Sequence, residues 1–255
     1  MSVQASPTRG PLAGSGAVFW REMLLLRKRS RRYVASMAVS PLLYMTAFAY
    51  AVGRGVEVDG RPYAAFLIPG LAAMSAMMQS FSIGSEINVA RFYWKVFEEF
   101  QCAPMTDLAY ALGEVAAGAV RGLLAVLVII LVGLPFGIVL HYGPWFWLAA
   151  ALNSIAFSSL GTGLAMIVRG HQDQMLLQTF VITPMAFLGG TFFPVDRLPS
   201  WLGTIIDLLP LTHAARAMRE AAFGQTPPAM SMAVLGASAL IFFMLAHRVV
   251  RKARD

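Results

Sequence analysis

Residues able to do chemistry are sparse in this chain, and their spacing excludes more than it offers. The three lysines, Lys28, Lys95 and Lys252, never follow a glycine. The GxxxxGK loop, whose backbone amides cradle nucleotide phosphates, is therefore missing. Four histidines, His141, His171, His213 and His247, are scattered without HExxH-type pairing, and the one cysteine is Cys102. A lone cysteine forms neither an internal disulfide nor a multi-cysteine metal site. An intramembrane serine protease needs a nucleophilic serine in one apolar segment and a histidine in another. Ser15 lies in a glycine-rich tail, and Ser158 and Ser159 lack flanking glycines. A polytopic membrane enzyme is accordingly disfavoured, and no cofactor or metal is expected on this chain.

Polar side chains do occur inside long apolar runs: Gln79, Asn153, Gln178 and Thr183. Such groups either hydrogen-bond across helices or line a solute path, so these four are the candidate substrate-path residues. No Asp or Glu stands in the middle of a run. Glu86, Glu114 and Arg121 fall near the predicted ends, where long side chains snorkel to water. Ion-driven secondary transporters rely on intramembrane ionisable groups and often on internal repeats; neither is evident here.

The elements that carry these residues follow from hydropathy. The 255 residues are 58% hydrophobic and 13% charged, with a mean hydropathy of +0.64, against about 25% charged in a soluble domain. The charges cluster between long uncharged runs, the pattern of membrane spans. The spacing predicts an all-α integral membrane domain over residues 17–250, with six transmembrane helices at about 34–53, 62–85, 110–134, 145–168, 174–195 and 229–247. The 21 residues of 33–53 cross a ~30 Å hydrocarbon core at ~1.5 Å per residue. Pro41 and Pro69 are expected to kink their spans rather than end them. Between Arg121 and Arg169 lie 47 residues without Asp, Glu, Lys or Arg, too many for one span. Pro135, Gly137, Gly143 and Pro144 supply the turn, and Trp145 and Trp147 suit an interfacial belt.

The remainder is loops and flanks. Residues 1–16 read as a flexible tail, residues 18–32 as an amphipathic helix that either lies in the interface or forms a charged approach to the first span, and residues 251–255 as a basic tail. No cleavable secretion signal is evident. Residues 86–107 hold six charges, with Phe92, Tyr93, Val96, Phe97 and Phe100 opposite Arg91, Lys95, Glu98 and Glu99. That is an amphipathic helix stopped before Pro104, and Thr106 is placed to cap the next span. Residues 196–220 alternate short apolar pieces with charges, and Pro199 and Pro210 punctuate them. Pieces of this length form interfacial or re-entrant helices. The N-terminal segment, loop 86–114, loop 169–173 and the C-terminal tail hold fourteen Lys and Arg, against five in loops 54–61, 135–144 and 196–228. Positive-inside bias therefore puts both termini in the cytoplasm. Because the net charge of +7 sits beside spans, it points to anionic lipid rather than nucleic acid.

Several stretches together resemble one family. "SPLLY" lies in the first span, "FLIPGL" (66–71) in the second and "FEEFQCAPM" (97–105) after the amphipathic helix; "GGTFFPVDRLPSWL" and "LLPLTHAARAMR" (189–219) come after the fifth span. The chain is similar over about residues 17–250 to the type-two ABC exporter permeases, in the branch of the nodulation-factor exporter and of bacterial drug and polysaccharide exporters. The resemblance implies a homodimer of six-span subunits in the bacterial inner membrane, working with two copies of a separate ATPase that holds ATP and Mg. It implies a coupling helix docking on that ATPase, mapped here onto Arg91, Lys95, Glu98, Glu99 and Pro104. It further implies external re-entrant helices between spans five and six, mapped onto Pro194, Asp196, Arg197, Pro199, Trp201, Pro210 and Arg216. The coupling segment is unusually aromatic for such a role. An amphipathic or lipid-like substrate is expected, since no charged cavity is written into the spans.

Overall fold

The computed structural model describes residues 12, 14–28, 30–53, 55–58, 60–95, 103, 105–195 and 199–254. Helices dominate them. α1 (Ser15–Lys28) and α2 (Ser30–Tyr44) come first, and α2 continues as a π-helical stretch, Met45–Val52. A two-stranded hairpin, β1 (Glu57–Val58) against β2 (Arg61–Pro62), turns through Gly60 at φ +71°. Next come α3 (Tyr63–Phe81), α4 (Ile83–Asn88) and a π turn, Val89–Tyr93. α5 (Asp107–Gly133) and α6 (Pro144–Ile167) are the long central helices. α7 (His171–Leu177), a π turn (Gln178–Ile182) and α8 (Thr183–Leu188) form one interrupted rod. Two short helices, α9 (Ser200–Ile206) and α10 (Pro210–Ala222), precede α11 (Ala229–Arg254).

Among the described residues, four helical stretches are long and apolar enough to cross a membrane: Tyr63–Tyr93, Asp107–Phe136, Pro144–Ile167 and Ala229–Ala253. The stretches 30–52 and 171–188 are also continuously helical, but each begins on polar residues (Ser30, Arg31 and Arg32; His171, Gln172, Asp173 and Gln174) and is broken by π turns.

α3, α5 and α6 pack mutually at the centre, with α11 along α6 and α10 laid across α3 and α6. Lipid offers no hydrophobic drive for helices to associate, so close approach of small residues supplies the contact. A Cβ on Gly118 would collide with Ser158, and one on Gly122 with Ser80 and Ser154. Side chains reach across the same seams. The Ser158 hydroxyl donates to the Val115 carbonyl at 2.9 Å, and the Asn153 amide donates to the Ala73 carbonyl at 3.0 Å.

Local signals set the helix ends. The Thr106 hydroxyl accepts from the Ala109 amide at 3.1 Å and starts α5. Pro144 stands at the first position of α6, where a missing N–H costs nothing. Pro184, just after the π turn, has no N–H to give; Thr183 before it donates both its backbone N–H and, at 3.0 Å, its hydroxyl to the Gln178 carbonyl. Gly190, at φ +71°, then turns the chain away.

Candidate functional site

α1 lies along α5. Val18, fully buried, presses on Gly113, where a Cβ would come within 2.6 Å of it. One turn later on the same face is Glu22, 1% exposed. Its carboxylate accepts from the Arg121 guanidinium at 2.9 Å and also pairs with Arg21. Arg21 reaches Glu114 at 3.8 Å, and Arg121 lies 3.6 Å from Glu86. The buried Tyr110 faces Glu114, and the Tyr33 ring stands 5.8 Å from the Arg121 guanidinium. Three carboxylates and two guanidiniums thus join α1, α4 and α5. Ionisable groups so deeply placed are tolerated only because they hold one another, so the helices that carry them are fastened as a set.

Snorkelling at a span end does not describe Glu114 and Arg121, which are 0% and 2% exposed. α1 covers them and brings its own charges. Sequence reasoning missed Arg21, Glu22 and Tyr110 as their partners. A signal existed: Tyr110, Glu114 and Arg121, at spacings of four and seven, share a face of α5, and Glu22 sits four residues after Val18 on α1.

The segment that the sequence leads one to expect as the coupling helix, from residue 91 on, starts beside this cluster. Trp94 lines the same small cavity, about 30 Å³, as Leu25, Tyr33, Glu86 and Arg121. Arg91 donates to the carbonyls of Ala165 and Met166 at 3.1 and 3.0 Å, closing the C-terminus of α6. Phe92, Tyr93 and Trp94 are exposed, and Lys95 has φ +53°, so the chain leaves the helix there in the left-handed region. Glu98, Glu99 and Pro104 lie outside the described residues.

The four candidate path residues stand in three places. Gln79 accepts from the Tyr33 hydroxyl at 3.1 Å and borders a cavity of about 90 Å³ between α2 and α3, with Ser36, Ser40 and Ser75. Asn153 is fully buried among the central helices. Gln178 and Thr183 are joined to each other in the interrupted rod.

Of the segment after α8, Asp196 and Arg197 lie outside the described residues. Pro194 lines a cavity of about 200 Å³ with Phe66, Gly190, Arg216 and Arg219. Pro199 precedes α9, Trp201 is 66% exposed, Pro210 opens α10, and Arg216 pairs with Asp207 at 3.0 Å. Arg219 stitches this segment to α3: it donates to the carbonyls of Phe66 at 3.2 Å and Gly190 at 2.9 Å, its guanidinium 3.8 Å from the Phe66 ring centre. Tyr63 adds a 2.6 Å hydrogen bond to the Phe192 carbonyl. His213 Nε2 donates to the Asp207 carbonyl at 2.8 Å, which leaves Nδ1 to accept from Ser231 at 3.3 Å. Arg219, Tyr63 and His213 are anchors that sequence reasoning did not single out. Among the described residues no group of three or more His, Cys, Asp or Glu could hold a metal ion.

Comparison with known proteins agrees over most of the chain. Residues 15–223 match the family described as ABC-2 type transporter. Nodulation protein J of Sinorhizobium fredii is 32% identical over 208 residues, 80% of this chain and 79% of that one. Nodulation protein J of Rhizobium meliloti is 31% identical over 248 residues, 92% of each chain. The inner membrane transport permease YadH of Escherichia coli is 25% identical over 223 residues, 85% of this chain and 86% of that one.

Proposed function

The chain belongs to the ABC-2 type transporter family as a membrane permease subunit, and from this we propose that it exports an amphipathic or lipid-like substrate from the cytoplasm. In this reading it crosses the bacterial inner membrane six times, as one domain over residues 17–250, with both termini in the cytoplasm. It pairs with a second copy of itself and with two copies of a separate ATPase. Nucleotide and Mg belong to that ATPase, since this chain has no phosphate loop. Residues 91–104 form the docking segment, and residues 194–220 stand on the outer side.

The observation that carries the reading is the buried charge cluster at the start of the docking segment. Work done on residues 91–104 by ATP binding must reach the spans through rigid contacts that bias one membrane conformation over another. Trp94 shares a cavity with Arg121 and Glu86, and Arg121 is paired to Glu22. A displacement of the segment therefore acts on α1, α4 and α5 together. Arg91, bonded to the last carbonyls of α6, carries it to a fourth helix.

The test is reconstitution with a separate phosphate-loop ABC ATPase as the candidate partner. The pair should copurify and hydrolyse ATP, whereas this chain alone should not. Reversing Glu98 and Glu99 to Lys should weaken the complex or its ATPase coupling while insertion stays intact. An exposed pair is worth only ~0.2–1 kcal/mol, so a double reversal, which adds repulsion, is the informative change. Wild-type coupling in that variant would remove the docking assignment.

A further inference from the structure

Apart from the transport reading, the outer side of α6 and α11 carries a groove that no packing within the chain fills. The two helices touch at Gly163 and Ala246, where a Cβ on the glycine would lie 3.2 Å from the alanine Cα. Leu160, Gly163 and Ile167 on one side and Phe242, Ala246 and Val249 on the other enclose about 160 Å³ with almost no polar surface. α11 is the least covered of the four long apolar helices, with 28% of its apolar stretch buried.

One end of the groove is basic. Ala165 and Met166 pack in one cluster with Val249, Val250 and Ala253, so α6 and α11 run the same way and finish together. Lys252 comes six residues beyond Ala246, ~9 Å along the axis of α11, and Arg169 lies two residues past the end of α6 at Ile167, where the chain has left the helix. Phe242, Ala246 and Val249 form a stripe whose next member is Lys252, and Arg248 flanks it one turn from the groove-lining Leu245. Arg169, Arg248 and Lys252 are exposed, and none forms a salt bridge among the described residues. The carboxylate of Asp173 is engaged on the Arg169 backbone amide at 3.1 Å.

We propose that this groove holds an acyl chain of an anionic phospholipid whose headgroup is bound by Arg169, Arg248 and Lys252. An apolar crevice ending in cations at a membrane surface matches both halves of such a lipid. A second copy of the chain matches it less well: two copies related by an axis along the membrane normal would bring like basic ends together.

The experiment measures phosphatidylglycerol against phosphatidylcholine of the same acyl chains, binding to the full-length chain by native mass spectrometry and by thermal shift. About fivefold in affinity per surface cation gives a preference on the order of a hundredfold for the anionic lipid. The triple variant Arg169→Gln, Arg248→Gln, Lys252→Gln should lose that preference while still binding both lipids. Leu245→Trp, which fills the groove with an apolar ring, should weaken both. If the triple variant does not fold, the wild-type preference should instead fall as salt is raised, because exposed charges are screened. Equal affinity for the two lipids in the wild type would overturn the proposal. So would a preference that survives both the triple substitution and high salt, or ready cross-linking between two copies through Leu245→Cys in a Cys102→Ser background.

Discussion

Replacing Arg121 with methionine isolates the buried cluster. The methionine keeps the apolar stem and removes the guanidinium, which donates at 2.9 Å to Glu22 and lies 3.6 Å from Glu86. Glu86 is about one-third exposed, so that arm is screened by water and contributes little. The arm to Glu22 is buried at both ends, and its loss leaves Glu22 and Glu114 to share Arg21. Removing one partner of a buried pair costs ~3–5 kcal/mol, most of it the unpaired charge left behind. At ~1.4 kcal/mol per decade this frees α1 from α5 by roughly two to four orders of magnitude. The assay is the labelling rate of Val18→Cys, which faces Gly113, in a Cys102→Ser background, together with thermal unfolding in lipid nanodiscs. Arg121→Met should speed labelling and lower the midpoint, and adding Glu22→Gln should restore much of both. A loss below ~1 kcal/mol, or strictly additive single and double variants, would refute the idea that the pair fastens α1.

Other changes probe neighbouring features. Lys95→Gly should hold or raise thermal stability, by up to ~1 kcal/mol, because φ +53° suits glycine; Lys95→Val should lower it, and both abolish the charge, so a shared loss of ATPase coupling would locate the effect in the side chain. Tyr63→Phe removes the 2.6 Å bond to the Phe192 carbonyl and should cost ~1 kcal/mol in unfolding experiments. A fluorescent reporter fused after Asp255 should mature in the cytoplasm, and activity there of an enzyme that works only in the periplasm would reverse the orientation.

Hydropathy made the long helices legible because apolar length is a property of the segment alone. Thr106 was legible for the same reason, since a cap is decided within four residues, and so were the two short helices that Pro199 and Pro210 punctuate. The charge cluster was not. Glu114 and Arg121 read as surface groups until α1 is placed, and its position is set by the missing side chain at Gly113, ninety-five residues from Val18. Arg91 is a similar case: its pattern puts it on a polar face, whereas its partners are the carbonyls ending α6. The π turns leave no trace in a periodicity built on 3.6 residues.

Those wide turns change how substitutions and deletions read along the chain. A π turn closes i to i+5 and so holds one residue more than an α turn. Removing one residue from Met45–Val52 or from Gln178–Ile182 would let the rod close as an α-helix. The positions beyond would keep nearly the same faces, because the surplus residue adds no full step of rotation, whereas the same deletion from a regular α turn would swing each of them by ~100° about the axis. Only in that second case would a side chain that had looked into the bundle look into lipid, without any change in its own identity. In the second rod the Thr183 hydroxyl, bonded to the Gln178 carbonyl, fixes where the surplus residue sits. Thr183 thus marks a place where the rod can lose one residue and keep its faces, as much as it is a polar residue in a span.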